Sequence, residues 1–167
     1  SSVGTQPHNI YSTLSQNMRK IEQQMCQAVQ QNLNWTNANT SVIFDSETNT
    51  SSVYLHGNLI ATVTDNDMTI YDGGYQSNTT KSRINALCDE FCIAGEGVFQ
   101  KNYKWFVRKF VGQSSVTGKV FNVEDFTNGY VFAWSILSLI SYLLKGAFLT
   151  EMTPFLLEYI RINLKNV

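Results

Sequence analysis

Val53-Tyr54-Leu55-His56-Gly57-Asn58-Leu59-Ile60-Ala61-Thr62-Val63-Thr64 decides the fold. Apolar and polar residues alternate on both sides of a Gly-Asn pair, and β-branched and aromatic residues dominate. A period of two is the signature of a strand with one buried face. Strands are therefore expected over 53–56 and 59–64. Gly57-Asn58 is read as their two-residue hairpin loop, because glycine tolerates a positive φ at the first loop position. Outward from this pair, Ser41–Phe44 and Met68–Tyr71 extend the pattern into an antiparallel meander. Asp65-Asn66-Asp67 supplies the next turn, and Gly73-Gly74 closes the meander or forms a bulge.

Upstream the period changes. Ile10, Leu14, Met18, Ile21, Met25, Val29 and Leu33 recur every three or four residues, one stripe of an amphipathic helix over 10–33. Residues 1–9 read as a loose terminus, and the Asn/Thr cluster over 34–40 ends the helix. Downstream, a second helix is expected to start near Thr79 or Thr80 as its cap, to bury Ile84, Leu87 and Phe91, and to end at Gly95. Val98–Lys101 and Lys104–Val111 form a second hairpin, with a short strand over 119–121 and another over 130–133. The tail from Trp134 reads as two helices, the last with Thr153 as cap and Pro154 at its first position. The expected class is α+β: N-terminal helix, antiparallel β-meander, helix, second β-hairpin, C-terminal helical hairpin. One domain over 1–167 is expected, with an α+β core at 38–132 and a helical extension at 134–167.

Composition narrows the function. Apolar residues make up 43% of the 167, enough to fill a core, so global disorder is excluded. The net charge of −1 gives no global attraction to nucleic acid or an anionic membrane. Cys26, Cys88 and Cys92 make an odd count, poor material for a disulfide framework and better suited to a reducing compartment. Four Asn-x-Ser/Thr sequons are no more than the abundance of those residues produces by chance. The uncharged stretch 127–144 approaches the length of a bilayer span. It opens on a turn, carries Ser135, Ser138 and Ser141, and reads better as a buried helix than as a membrane segment.

Catalytic chemistry finds little to work with. His8 lies in the loose terminus and His56 beside a hairpin turn, and no spacing marks a nucleophile for either. Cys88 and Cys92, one helical turn apart, could supply half a zinc site, but buried structural thiols are the better reading. No P-loop or dinucleotide fingerprint appears. The chain is expected to be non-enzymatic, with no cofactor and no metal.

One segment departs from the background. From 97 to 123 every charged residue is positive: Lys101, Lys104, Arg108, Lys109 and Lys119. Phe99, Tyr103, Trp105, Phe106, Phe110 and Phe121 interleave with them. Phosphates attract cations and unpaired bases stack on flat rings, so such a mixture on strands suits single-stranded nucleic acid. Lys81 and Arg83 add charge at the start of the second helix, where the helix dipole also favours anions. The candidate anion-binding set is Lys81, Arg83, Lys101, Tyr103, Lys104, Arg108 and Lys109. The bland alternative is a solvated basic face over a core face of Tyr103, Trp105 and Val107. The other functional reading is a protein-binding module, meeting a host protein or a second copy of itself. Its surface would be the surplus apolar tail, anchored by Trp134, Ile140, Phe148 and Phe155.

The run Val53 to Ala61, then Gly73-Gly74-Tyr75, then Asn78-Thr79-Thr80-Lys81-Ser82-Arg83-Ile84-Asn85-Ala86-Leu87, resembles a family of short bacteriophage-encoded proteins. Val98-Phe99-Gln100-Lys101 and Lys104-Trp105-Phe106-Val107 continue the similarity, which covers about residues 38 to 132. The resemblance implies phage origin and action in the cytoplasm of a host bacterium, and it carries over no catalytic residue. By it, the N-terminal helix and the tail look like additions peculiar to this chain.

Overall fold

The computed structural model describes residues 18–134. Helix α1 spans Lys20–Gln30. It is followed by strands β1 (Trp35–Asn37), β2 (Thr40–Asp45), β3 (Thr50–Leu55), β4 (Asn58–Val63) and β5 (Asp67–Ile70). Helix α2 (Asn78–Phe91) comes next, then β6 (Gly97–Lys101), β7 (Lys104–Ser114), β8 (Gly118–Asp125) and β9 (Tyr130–Ala133). The class is α+β with antiparallel sheets. The expected C-terminal helical hairpin lies outside the described residues, apart from its first residue, Trp134.

Six strands form one sheet in the order β1-β2-β3-β4-β5-β9, and β6-β7-β8 form a second. Strand alternation places one row of the first sheet inside: Val42, Val53, Ala61 and Ile70 stand opposite one another across four strands, all buried. Helix α1 covers this face with Met25, Cys26, Ala28 and Val29, and α2 adds Ile84, Ala86, Leu87 and Cys88. Val98, Trp105 and Val107 of the second sheet join the same core, with Phe132 of β9. Each fully buried aliphatic side chain contributes about 1.5–3 kcal/mol of transfer free energy, so one continuous core fastens both sheets.

Several boundaries move, each for a local reason. Helix α1 starts at Lys20 because Arg19 is extended, at φ −61° and ψ 145°; residues 10–17 lie outside the described residues. It ends in a Schellman turn, in which Leu33 N–H donates to Ala28 O and Asn32 N–H to Val29 O, with Asn32 left-handed at φ 55°. The Asn/Thr cluster hides the short strand β1. The first hairpin turns on His56-Gly57 rather than Gly57-Asn58. Leu55 pairs with Asn58, and both loop residues have positive φ, at 51° and 77°, a primed turn matching the twist of its strands. The cap of α2 is Ser77, whose Oγ accepts from Thr80 N–H at 3.0 Å, rather than Thr79 or Thr80. The second hairpin acquires a third strand, because β8 runs over eight residues and not the three expected.

Candidate nucleic-acid interface

The register of the second sheet decides which side chains meet. Lys101 stands opposite Lys104, Phe99 opposite Phe106 and Gly97 opposite Arg108. On the other flank, Phe106 faces Asp125, Arg108 faces Val123 and Phe110 faces Phe121. Directly opposed residues project to the same side of a sheet. One side therefore gathers Lys101, Lys104 and Arg108 with Phe99, Phe106, Phe110 and Phe121, while Val98, Trp105 and Val107 point into the core.

Within that face, the Phe99 and Phe106 rings stack at 5.6 Å with planes 24° apart. Lys104 Nζ lies 5.4 Å from the Phe106 ring and 2.9 Å from Asp125 Oδ2, with both partners more than half exposed. An ion pair so wet contributes little and yields readily to a competing anion. The Arg108 guanidinium sits 4.7 Å over Phe121, which meets Phe110 edge-on at 6.0 Å. The lower end is covered by the α2–β6 connector: a Cβ on Gly95 would fall 2.5 Å from the Phe121 ring, and Gly95 holds φ 104°. The connector is fixed by Glu96, a buried carboxylate accepting from Ile93 N–H and Phe110 N–H at 3.1 Å each. Lys119 Nζ donates to Ala94 O at 2.9 Å. The accessible part of the face is thus its tip half.

The remaining candidates scatter. Tyr103 is not on a core face; with Asn102 it forms the β6–β7 turn at positive φ and is 95% exposed at the tip. Lys81, half-buried in the first turn of α2, reaches Gln100 Oε1 at 3.5 Å; Gln100 stands opposite Trp105, so this contact lies on the other side of the sheet from Lys101. Lys109 faces the other way, 5.5 Å over the Phe132 ring. Arg83 must be withdrawn as an anion contact. It is 4% exposed, donates to Glu22 Oε1 at 2.8 Å and to Thr40 Oγ1 at 3.1 Å, and so ties α2 to α1 and β2. Ser82 Oγ donates to the same Glu22 oxygen at 2.5 Å. Trp134 packs against the core, with its indole N–H buried and without a partner among the described residues. Ile140, Phe148 and Phe155 lie outside the described residues. Phe99 and Phe106, absent from the candidate set, stack on each other within this face; their equal distance from Asn102-Tyr103 is the signal that could have paired them.

The thiols are free. Burial pushes Cys26 up to about 12, with Glu90, Glu22 and Asp89 adding to the rise. A hydrogen bond with Cys92 and complete burial hold Cys88 well above its ordinary value. Both stay protonated thiols near neutral pH, the inert form. His56 is exposed in its turn. Among the described residues, no three His, Cys, Asp or Glu side chains come together as a metal site, and no helix is long and apolar enough to cross a membrane.

A family model described as Kyanoviridae Gp96 protein matches residues 18–133. The match covers well over half of the 167 residues, and the chain belongs to this phage-encoded family. Because the match begins at residue 18, α1 is part of the family's common unit and not an addition of this chain. No curated protein and no solved structure matches the chain.

Proposed function

We propose that this phage protein is a non-enzymatic, single-stranded nucleic-acid-binding module that acts in the infected host cell through the exposed face of β6–β8. The observation that carries the reading is the cross-strand register. It brings Lys101, Lys104 and Arg108 around the stacked Phe99 and Phe106 on a side of the sheet that the core does not use. Cations spaced along a strand meet successive phosphates, and a half-exposed ring offers a base a flat partner. Duplex DNA keeps its bases stacked on each other, so the aromatic contribution is reserved for single strands. Tyr103 extends the contact at the tip.

The test is binding of a labelled single-stranded oligonucleotide by fluorescence anisotropy across a salt series. Each neutralised phosphate contributes about 0.7 to the slope of log affinity against log salt for a single strand. Lys104→Ala with Arg108→Ala is expected to weaken binding and flatten that slope by about 1.4. Phe106→Ala is expected to cost about 1–3 kcal/mol of affinity and leave the slope unchanged. Binding that ignores salt, or that survives the double substitution, ends the reading.

A further inference from the structure

One row across the accessible face reads Phe99, Phe106, Asp125, a residue from each strand in direct opposition. Two stacked rings each turn one face to the other, so Phe99 takes up the β6 side of Phe106 and leaves its β8 side. Asp125 stands on that side. The head of Lys104 reaches it too, with Nζ 5.4 Å over the Phe106 ring and 2.9 Å from Asp125 Oδ2. The ring face that a base needs is therefore covered by an ion pair of the protein itself. Glu124, the neighbouring acid, stands opposite Val107 and so projects to the other side of the sheet, where it accepts from the Tyr130 hydroxyl at 2.8 Å. Of the two acids that end β8, only Asp125 lies on the cationic face.

We propose that Asp125 is a latch on this site, a positioning residue that acts through Lys104. The proposal rests on the nucleic-acid reading and adds regulation to it. In the free protein the carboxylate stands in for a phosphate oxygen, holding the ammonium over Phe106 and covering the platform. A strand opens the latch by exchange: a phosphate takes the ammonium from the carboxylate, Lys104 swings off the ring, and a base stacks in its place. A lone anion offers Lys104 little more than Asp125 already gives. A strand offers more, because Lys101 and Arg108 meet further phosphates while the vacated ring is filled. The latch thus discriminates against small anions. It is a light one, since exposed ion pairs are weak, and opening it lowers affinity by about two- to fivefold.

The experiment compares the full chain with Asp125→Asn, Glu124→Gln and Lys104→Ala, by anisotropy of a labelled single-stranded oligonucleotide at physiological salt. The two acid substitutions each remove one negative charge, from adjacent residues on opposite sides of the sheet, and so separate a latch from a change in net charge. Asp125→Asn is expected to bind about threefold tighter than the parent, the worth of an exposed pair. Glu124→Gln is expected to stay within about 1.5-fold, its charge screened on the far side. In the Lys104→Ala background, Asp125→Asn should gain no more than Glu124→Gln does. Equal gains from the two acids, or a gain from Asp125→Asn that survives without Lys104, overturn the proposal.

A second readout needs no nucleic acid. Acylation of lysines by an N-hydroxysuccinimide ester at low conversion, followed by peptide mass spectrometry, is expected to label Lys104 about two- to threefold more slowly than Lys101 in the parent, and at the same rate in Asp125→Asn. Lys101 is the internal standard, exposed and in no ion pair among the described residues. Equal rates in the parent overturn the latch whether or not strands bind. Absence of oligonucleotide binding by every variant ends the nucleic-acid reading, and the regulation with it, while the labelling rates still show whether Asp125 holds Lys104.

Discussion

The two sheets of this protein share a core and differ sharply on their outer sides. From Asn34 to Thr80, the sequence that builds five strands of the first sheet contains no lysine or arginine, and its charges are Asp45, Glu47, Asp65, Asp67 and Asp72. An outer row of that sheet runs Ile43, Ser52, Thr62, Thr69 and Val131, uncharged from end to end. From Gly97 to Asp125, the second sheet carries five cations and two acids, Glu124 and Asp125, both at the end of β8. The net charge of −1 therefore averages an acidic first-sheet sequence and a second sheet in which cations outnumber acids. Arginine shows the same division on a smaller scale. Arg83 is sealed between the helices and the first sheet, while Arg108 lies exposed over an aromatic ring on the second. Identical chemistry serves cohesion in one place and is offered to solvent in the other.

That contrast is broken most directly at Arg83. Removing the guanidinium leaves the Glu22 carboxylate buried without its cation, and breaking a buried pair from one side costs about 3–5 kcal/mol. Arg83→Met is therefore expected to shift the urea midpoint strongly downward. Adding Glu22→Gln should recover much of the loss, because the uncompensated charge goes with it. Arg108→Met, a surface change, is expected to stay within about 0.5 kcal/mol of the parent. Equal midpoints for the two arginine variants would erase the distinction.

Arg83 also shows where reading the sequence runs out. Period two announced four strands of the meander, and the second helix and second hairpin were visible from apolar spacing and turn residues. A cation in the first turn of a helix looks solvent-facing, however, because its partner Glu22 lies 61 positions away on another helix. Strand β8 is exposed on both sides over most of its length, so it lacks the alternation that marks a half-buried strand. The turn slipped from Gly57-Asn58 to His56-Gly57 because pairing across the bulge at Val53 and Tyr54, invisible locally, sets the register. For the candidate site, the composition of the basic segment was legible. Which of its residues share a side was legible only in part, since Tyr103 belongs to the turn and Lys109 to the inner side.

A second change sharpens the comparison by loosening one sheet alone. Glu96 accepts two backbone N–H groups, from Ile93 and Phe110, in a buried position. Glu96→Ala leaves both donors without their carboxylate, a loss of about 2–3 kcal/mol. The effect should be regional: amide exchange is expected to accelerate along β7 and β8 while β2 to β4 keep their protection. Uniform acceleration across both sheets would mean that they open as one cooperative unit.

The smallest effect concerns the acidic end of α2, which lies between the two sheets in sequence. Burial first, and the Glu22 charge second, raise the pKa of Asp89 above its ordinary value. It also sits near the C-terminus of α2, where the last turn carries no basic residue and the helix dipole disfavours an anion. A carboxyl whose folded pKa is raised takes up a proton more readily in the native state than in the unfolded chain. Its ionised form therefore subtracts stability above the raised value, and that penalty disappears as pH falls towards the ordinary carboxylate value near 3.8. Asp89→Asn is expected to stabilise the protein at neutral pH by about 0.5 kcal/mol, kept small because the side chain is exposed enough for solvent to screen it. Urea midpoints for parent and variant should converge as the buffer is taken from pH 7 down towards that carboxylate value. A gap that stays constant across the range would assign the gain to helix propensity rather than to charge.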